Sequence, residues 1–202
     1  MSFFHAGPAP KGLGPRPGAL RDGLGLQPGM KVGLFGGSFN PAHDGHAHVA
    51  ETAMRRLGLD RVVWLVSPQN PLKSSRDTAP LAARMASARS VAATVGPAMI
   101  VSDFETRAGV QWTVDTLRVL KARYPGVRFV WLMGSDNLAS FHRWRGWTDI
   151  MQLMPVAVIA RPGSQLDSRS APAASRYARF RIPAARAGLL PTGVFHVTRL
   201  DG

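Results

Sequence analysis

The chain has 202 residues, of which 45% are hydrophobic, enough to bury a sizeable core in one domain. Cysteine is absent, which excludes disulfides and cysteine-ligated zinc and fits a reducing, cytoplasmic location. A formal charge of +13 favours anionic partners, but the excess is arginine scattered along the chain with no dense basic block, which is the pattern of a solvated surface and argues against a nucleic-acid groove.

Residues 1–29 are broken throughout by Gly and Pro and lack the apolar stretch of a leader. They predict a disordered N-terminal extension ahead of a domain covering 30–202. No run is long and apolar enough to cross a membrane. From Met30 on, apolar runs alternate with helical patterns. "KVGLFG" predicts a first strand, and Ala50, Ala53, Met54 and Leu57 mark one helix face, with Asp44 as the expected cap and Gly58 as the stop. "RVVWLV" (61–66) reads as a buried strand. Leu81, Met85, Ala88 and Ala92 outline a second helix before the short strand "AMIVS". A third helix runs through Val114, Leu117 and Leu120 and ends at Pro125-Gly126. "VRFVWLMG", "PVAVIAR" and "GVFHVTRL" supply three more strands, while residues 163–190 show poor periodicity. Continuous apolar strands separated by helices predict an α/β fold, a Rossmann-like parallel sheet with helices on both faces. Ligands of such sheets bind in the loops at the C-terminal strand ends.

The loop after the first strand, "GGSFNPAHDGH" (36–46), carries the densest chemistry. Two glycines let backbone N–H groups approach an anion, and the next helix presents its positive N-terminal end. His43 and His46, three apart, share one face of the first turn, where imidazoles can stabilise growing phosphate charge. Zinc fits poorly, because no third ligand lies near. His48 falls off that face.

This loop resembles the G-G-S/T-F-D/N-P-x-H-x-G-H signature of the HxGH nucleotidyltransferase superfamily, which transfers nucleotidyl groups on a Rossmann-like sheet. The resemblance implies that Gly36, Gly37, Ser38 and Phe39 line an ATP site and that His43 and His46 are catalytic. "GSDNLASFHRW" (134–144) is similar to a segment of the bacterial nicotinate-nucleotide adenylyltransferases, in which an aspartate region lies at the ATP site and a tryptophan stacks on the pyridine ring. Gly134 and Asp136 would then belong to the ATP side and Trp144 to the acceptor. "VQWTVDTL" (110–117) matches a segment whose amides, with those beside the tryptophan, hold a nicotinate carboxylate; Thr113 and Arg145 are the matching positions, and Thr113 is also a plausible helix cap. "SPQNPLK" resembles the family's acceptor loop, which assigns Asn70 and Lys73 to substrate, and "ARPG" directs Arg161 towards the nucleotide.

The resemblance implies adenylyl transfer from ATP to nicotinate mononucleotide, giving the deamido dinucleotide and pyrophosphate in NAD biosynthesis. It implies Mg²⁺ carried mainly by the ATP phosphates, with no metal site built from protein side chains, and no nucleic-acid or membrane partner; a homo-oligomer is compatible with it. Two alternatives accompany it: another adenylyltransferase of the superfamily, of the pantetheine-phosphate type, and a nucleotide-binding remnant without activity. The second arises because the chain stops at "VTRLDG", where the family places a Ser-Ser/Thr-x-x-Ile/Leu-Arg segment, so that the domain is expected to lack its C-terminal end.

Overall fold

The computed structural model describes residues 23–68, 78–159, 171–180 and 195–198. Its elements alternate along the chain: β1 (Lys31–Gly37), α1 (Asp44–Leu57), β2 (Arg61–Val66), α2 (Leu81–Val95), β3 (Met99–Ser102), α3 (Phe104–Ala108), α4 (Thr113–Arg123), β4 (Arg128–Gly134), α5 (Ser135–Phe141), α6 (Trp147–Leu153), β5 (Val156–Ile159), α7 (Pro172–Arg176) and β6 (Phe195–Thr198). The strands form one parallel sheet in the order β3-β2-β1-β4-β5-β6. The α/β reading and the strand assignments therefore hold. Residues 163–190, which showed poor periodicity, contain the short helix α7, whose Ala173 is buried.

Each central strand sends alternate side chains to opposite faces, and both sets are apolar. Val32, Leu34, Val63, Leu65, Phe129, Trp131, Val156 and Val158 join one core with residues of α3 to α7. Phe35, Val62, Trp64, Val66, Val130, Leu132, Ala157 and Ile159 join a second core with α1 and α2. Two covered faces explain why the strands read as unbroken hydrophobic runs. No helix of the described residues is long and apolar enough to cross a membrane.

Two expectations are corrected here. The extension does not run unpacked to residue 29: Leu24 is 1% exposed and belongs to the first core with Leu26, while the Gly29 amide donates to the Gly126 carbonyl at 2.9 Å. Two leucines among glycines show no periodicity, so only their tertiary contacts reveal that they pack. The cap of α1 is His43 and not Asp44: the His43 Nδ1 accepts from the Gly45 amide at 3.1 Å. Asp44 is instead the first helical residue, where its charge complements the helix dipole. Gly58 closes α1 in the left-handed conformation at φ 59°, as expected of a C-cap glycine.

Candidate functional site

The topology places the site. From β1 the chain winds outward through β2 and β3, then returns to lay β4 against the other side of β1. The loops after β1 and β4 consequently diverge, and a cleft opens between their C-terminal ends. A cavity of about 530 Å³ occupies this position. Gly36 and Gly37 line it from the end of β1, where they pair with Leu65 and Val66 of β2 and not in the loop to which sequence assigned them. Ser38, Phe39, His43 and His46 line it from the loop that follows and the start of α1, Thr113 from the start of α4, and Asp136, Trp144 and Arg145 from the region after β4. Gly134 does not line it; it is buried and stands at the N-cap of α5. Asn70, Lys73 and Arg161 lie outside the described residues.

At the end of β1, close approach demands glycine. A Cβ on Gly36 would overlap the ring of Trp131, which reaches across from β4. Phe39 holds a positive φ of 47° that a side chain seldom adopts, and its burial supplies the compensation. Its ring stacks on Trp64 at 5.1 Å and meets Phe35 edge-on at 5.6 Å. Phe39, 2% exposed, is thus a core residue that shapes the loop at the cavity wall.

The two histidines hold one another. While His43 caps Gly45, the His43 amide donates to His46 Nδ1 at 3.2 Å, so that each imidazole accepts at Nδ1. The ring centroids stand 4.0 Å apart. In a neutral imidazole whose Nδ1 accepts, the proton resides on Nε2. The capping box therefore fixes both tautomers and leaves each N–H donor on the far edge of its ring.

On the β4 side, Trp144 is half-buried, edge-on to Trp131 at 6.3 Å and to Phe141 at 5.4 Å. It both lines the cleft and packs against the core. Arg145 lies over Trp112, with its guanidinium carbon 5.3 Å from the ring centroid. Thr113 does not cap α4; Trp112 occupies that position, and no side chain bonds the cap there.

Trp112, which stands in the "VQWTVDTL" match at the family's tyrosine position, also lines the cleft, as do Gln111, Asn137, Ser140, Arg143 and Glu105, which were not singled out by sequence. Arg143 had a usable signal, since it flanks Trp144 opposite Arg145. Glu105 had none, because an acid in a five-residue helix reads as solvated. It is 5% exposed, and burial pushes its carboxyl up to about 7, against a smaller opposing effect of Thr116. The Thr116 hydroxyl lies 3.0 Å from Glu105 Oε1 and 3.2 Å from the Trp112 carbonyl. The Thr116 hydroxyl has one proton to share between these two acceptors, and donating it to Glu105 favours the carboxylate, which is the smaller, opposing effect. Between the unfolded carboxyl value near ~4.3 and the folded one, the native state holds a proton that the unfolded chain has released, so stability must fall as pH rises through that window. Glu105→Gln should flatten this slope of melting temperature against pH between about 5 and about 7. Parallel slopes for the two proteins would mean that Glu105 titrates normally.

Among the described residues, no three His, Cys, Asp or Glu side chains gather as a metal cage. The cleft lining thus combines the glycine end of β1, two imidazoles, two arginines and a half-buried indole with the carboxyl groups of Asp136 and Glu105.

A family model described as cytidylyltransferase-like matches residues 34–194. A protein of Caulobacter sp. (strain K31) is 68% identical over 161 residues, which cover 80% of this chain and 84% of the relative. One of Parvibaculum lavamentivorans is 54% identical over 166 residues, covering 82% of each. Both carry the name "Probable nicotinate-nucleotide adenylyltransferase". Among solved structures, the nicotinic acid mononucleotide adenylyltransferase of Plasmodium falciparum complexed with NaAD superimposes with a TM-score of 0.65 at 14% identity, covering 86% of this chain and 76% of that one. At that identity the likeness concerns the fold.

Proposed function

The chain belongs to the cytidylyltransferase-like family and, within it, to the nicotinate-nucleotide adenylyltransferases, and on that premise we propose that its cleft joins ATP to nicotinate mononucleotide through the residues gathered above. The observation that carries this reading is the meeting of the glycine turn, the paired histidines and the Trp144 loop in one cavity.

The acceptor's phosphate oxygen attacks the α-phosphorus of ATP in line. One P–O bond forms, the bond to the β-phosphate bridge breaks, and pyrophosphate leaves with the electron pair. No covalent enzyme intermediate is needed, so the protein contributes position and charge complementarity. Gly36, Gly37 and Ser38 present backbone to the triphosphate, and the Nε2–H groups of His43 and His46 donate to oxygens that gain charge as the leaving group departs. Gly134 supports this side through its place at the head of α5, and Asp136 lies at the cleft edge. Trp144 offers an indole face to the electron-poor pyridine ring, and Thr113 and Arg145, which line the same cavity, are assigned to the nicotinate carboxylate on their sequence match. Asn70 and Lys73 are assigned to the acceptor and Arg161 to the nucleotide on their sequence match alone. Mg²⁺ would be held mainly by the phosphates, where it would shield their charge.

Purified chain supplied with ATP, Mg²⁺ and nicotinate mononucleotide should release pyrophosphate and the deamido dinucleotide in equal amounts. Trp144→Ala should weaken acceptor binding by roughly 0.5 to 1.5 kcal/mol from lost stacking and leave ATP binding unchanged. A parallel loss of both affinities would return Trp144 to the core alone and remove it from the acceptor site.

A further inference from the structure

Arg84 lies in the second turn of α2, on the face that points at the sheet, and is 2% exposed. Burying a guanidinium is expensive unless its donors are met, and burial here lowers its pKa. Four of its N–H groups are met by backbone carbonyls: Nε donates to Ala79 at 2.9 Å, Nη1 to Ser38 at 2.9 Å and Ser67 at 2.7 Å, and Nη2 to Pro68 at 2.7 Å. Ser38 belongs to the turn after β1, and Ser67 and Pro68 belong to the turn after β2. Two further bonds fasten the first turn to the same helix region: the Ala79 amide donates to Asn40 Oδ1 at 3.1 Å, and the Ala42 amide donates to Ser87 Oγ at 3.0 Å.

An apolar residue would fill this position at far lower cost if filling were the whole task. We infer that Arg84 is a positioning residue for the transfer: its planar fork ties the turn after β1 to the turn after β2, so that the triphosphate side of the cleft and the chain leading into the acceptor loop share one registration. The fork geometry matters, because Nη1 alone bridges the two turns, and an ammonium carries only three donors in a different arrangement. The inference rests on the proposed reaction for its kinetic consequence and on the hydrogen bonds alone for its structural one.

The full chain and its Arg84→Lys and Arg84→Ala variants should be compared in turnover and in backbone amide exchange. Arg84→Lys is expected to fold, to lose at least about tenfold in kcat, and to exchange faster at Ser38–Ala42 and at Ser67 together. Millimolar guanidinium should restore part of the activity of Arg84→Ala. A lower melting temperature with kcat and both KM values unchanged in Arg84→Lys would overturn the inference and leave Arg84 a stability residue. So would faster exchange at one turn alone. If the unaltered chain transfers no adenylyl group, the proposed reaction fails, and the exchange result by itself decides for or against the clamp.

Discussion

His46→Ala is expected to lower kcat by about a hundredfold while changing the KM for nicotinate mononucleotide little. The loss of one preorganised donor to developing phosphoryl charge is of this order. Preorganisation is visible in the structure. The His46 ring is held by the His43 amide at Nδ1 and by aromatic neighbours, with Phe39 at 5.0 Å and Phe35 at 6.0 Å between centroids. In the proposed reaction its Nε2–H would therefore need no reorganisation as charge builds on the phosphate. The alanine variant also removes half of the capping box, which costs about 0.5–2 kcal/mol of stability. His46→Asn separates the two effects. An asparagine oxygen can replace Nδ1 as the acceptor for the His43 amide but cannot reach the position of Nε2. It should recover the melting temperature and not the rate. If His46→Asn turns over like the unaltered protein, the ring is a helix cap and nothing more.

Gly36→Ala should destabilise the fold by roughly 3 kcal/mol, the upper part of the range for overpacking a filled core, and lower the melting temperature by about 6–12 °C. The added methyl would enter the space of the Trp131 ring, which is 1% exposed. Because Trp131 meets Trp144 edge-on, the displacement should pass to the acceptor platform and raise the KM for nicotinate mononucleotide. A smaller side chain at 131, as in Gly36→Ala combined with Trp131→Leu, should return part of the stability. A melting temperature within a degree of the unaltered protein would show that the turn yields more readily than its packing implies.

The sheet could be read from the sequence because strands covered on both faces leave uninterrupted apolar runs, and "RVVWLV" and "VRFVWLMG" contain little else. The first loop could be read because glycine, proline and spaced histidines are each restricted to a few local geometries. Arg84 and Glu105 were missed for the opposite reason. A charged residue in a helix is ordinarily solvated, and only long-range packing decides that these two are buried. The cap of α1 was assigned one residue late because aspartate caps more often than histidine, whereas here the ring nitrogen does the accepting. Leu24 and Leu26 were lost among glycines for want of any period.

Trp112, Trp131 and Trp144, three of the chain's five tryptophans, surround the cavity. The protein consequently carries its own optical reporter. A pyridinium ring stacked on Trp144 would accept an electron from the excited indole and quench its emission, whereas Trp64, buried in the other core, would emit as before. Titration with the acceptor alone can thus be followed by the chain's intrinsic light, without a label and without turnover, and the part of the emission that dims identifies the face of the sheet on which the ligand has settled.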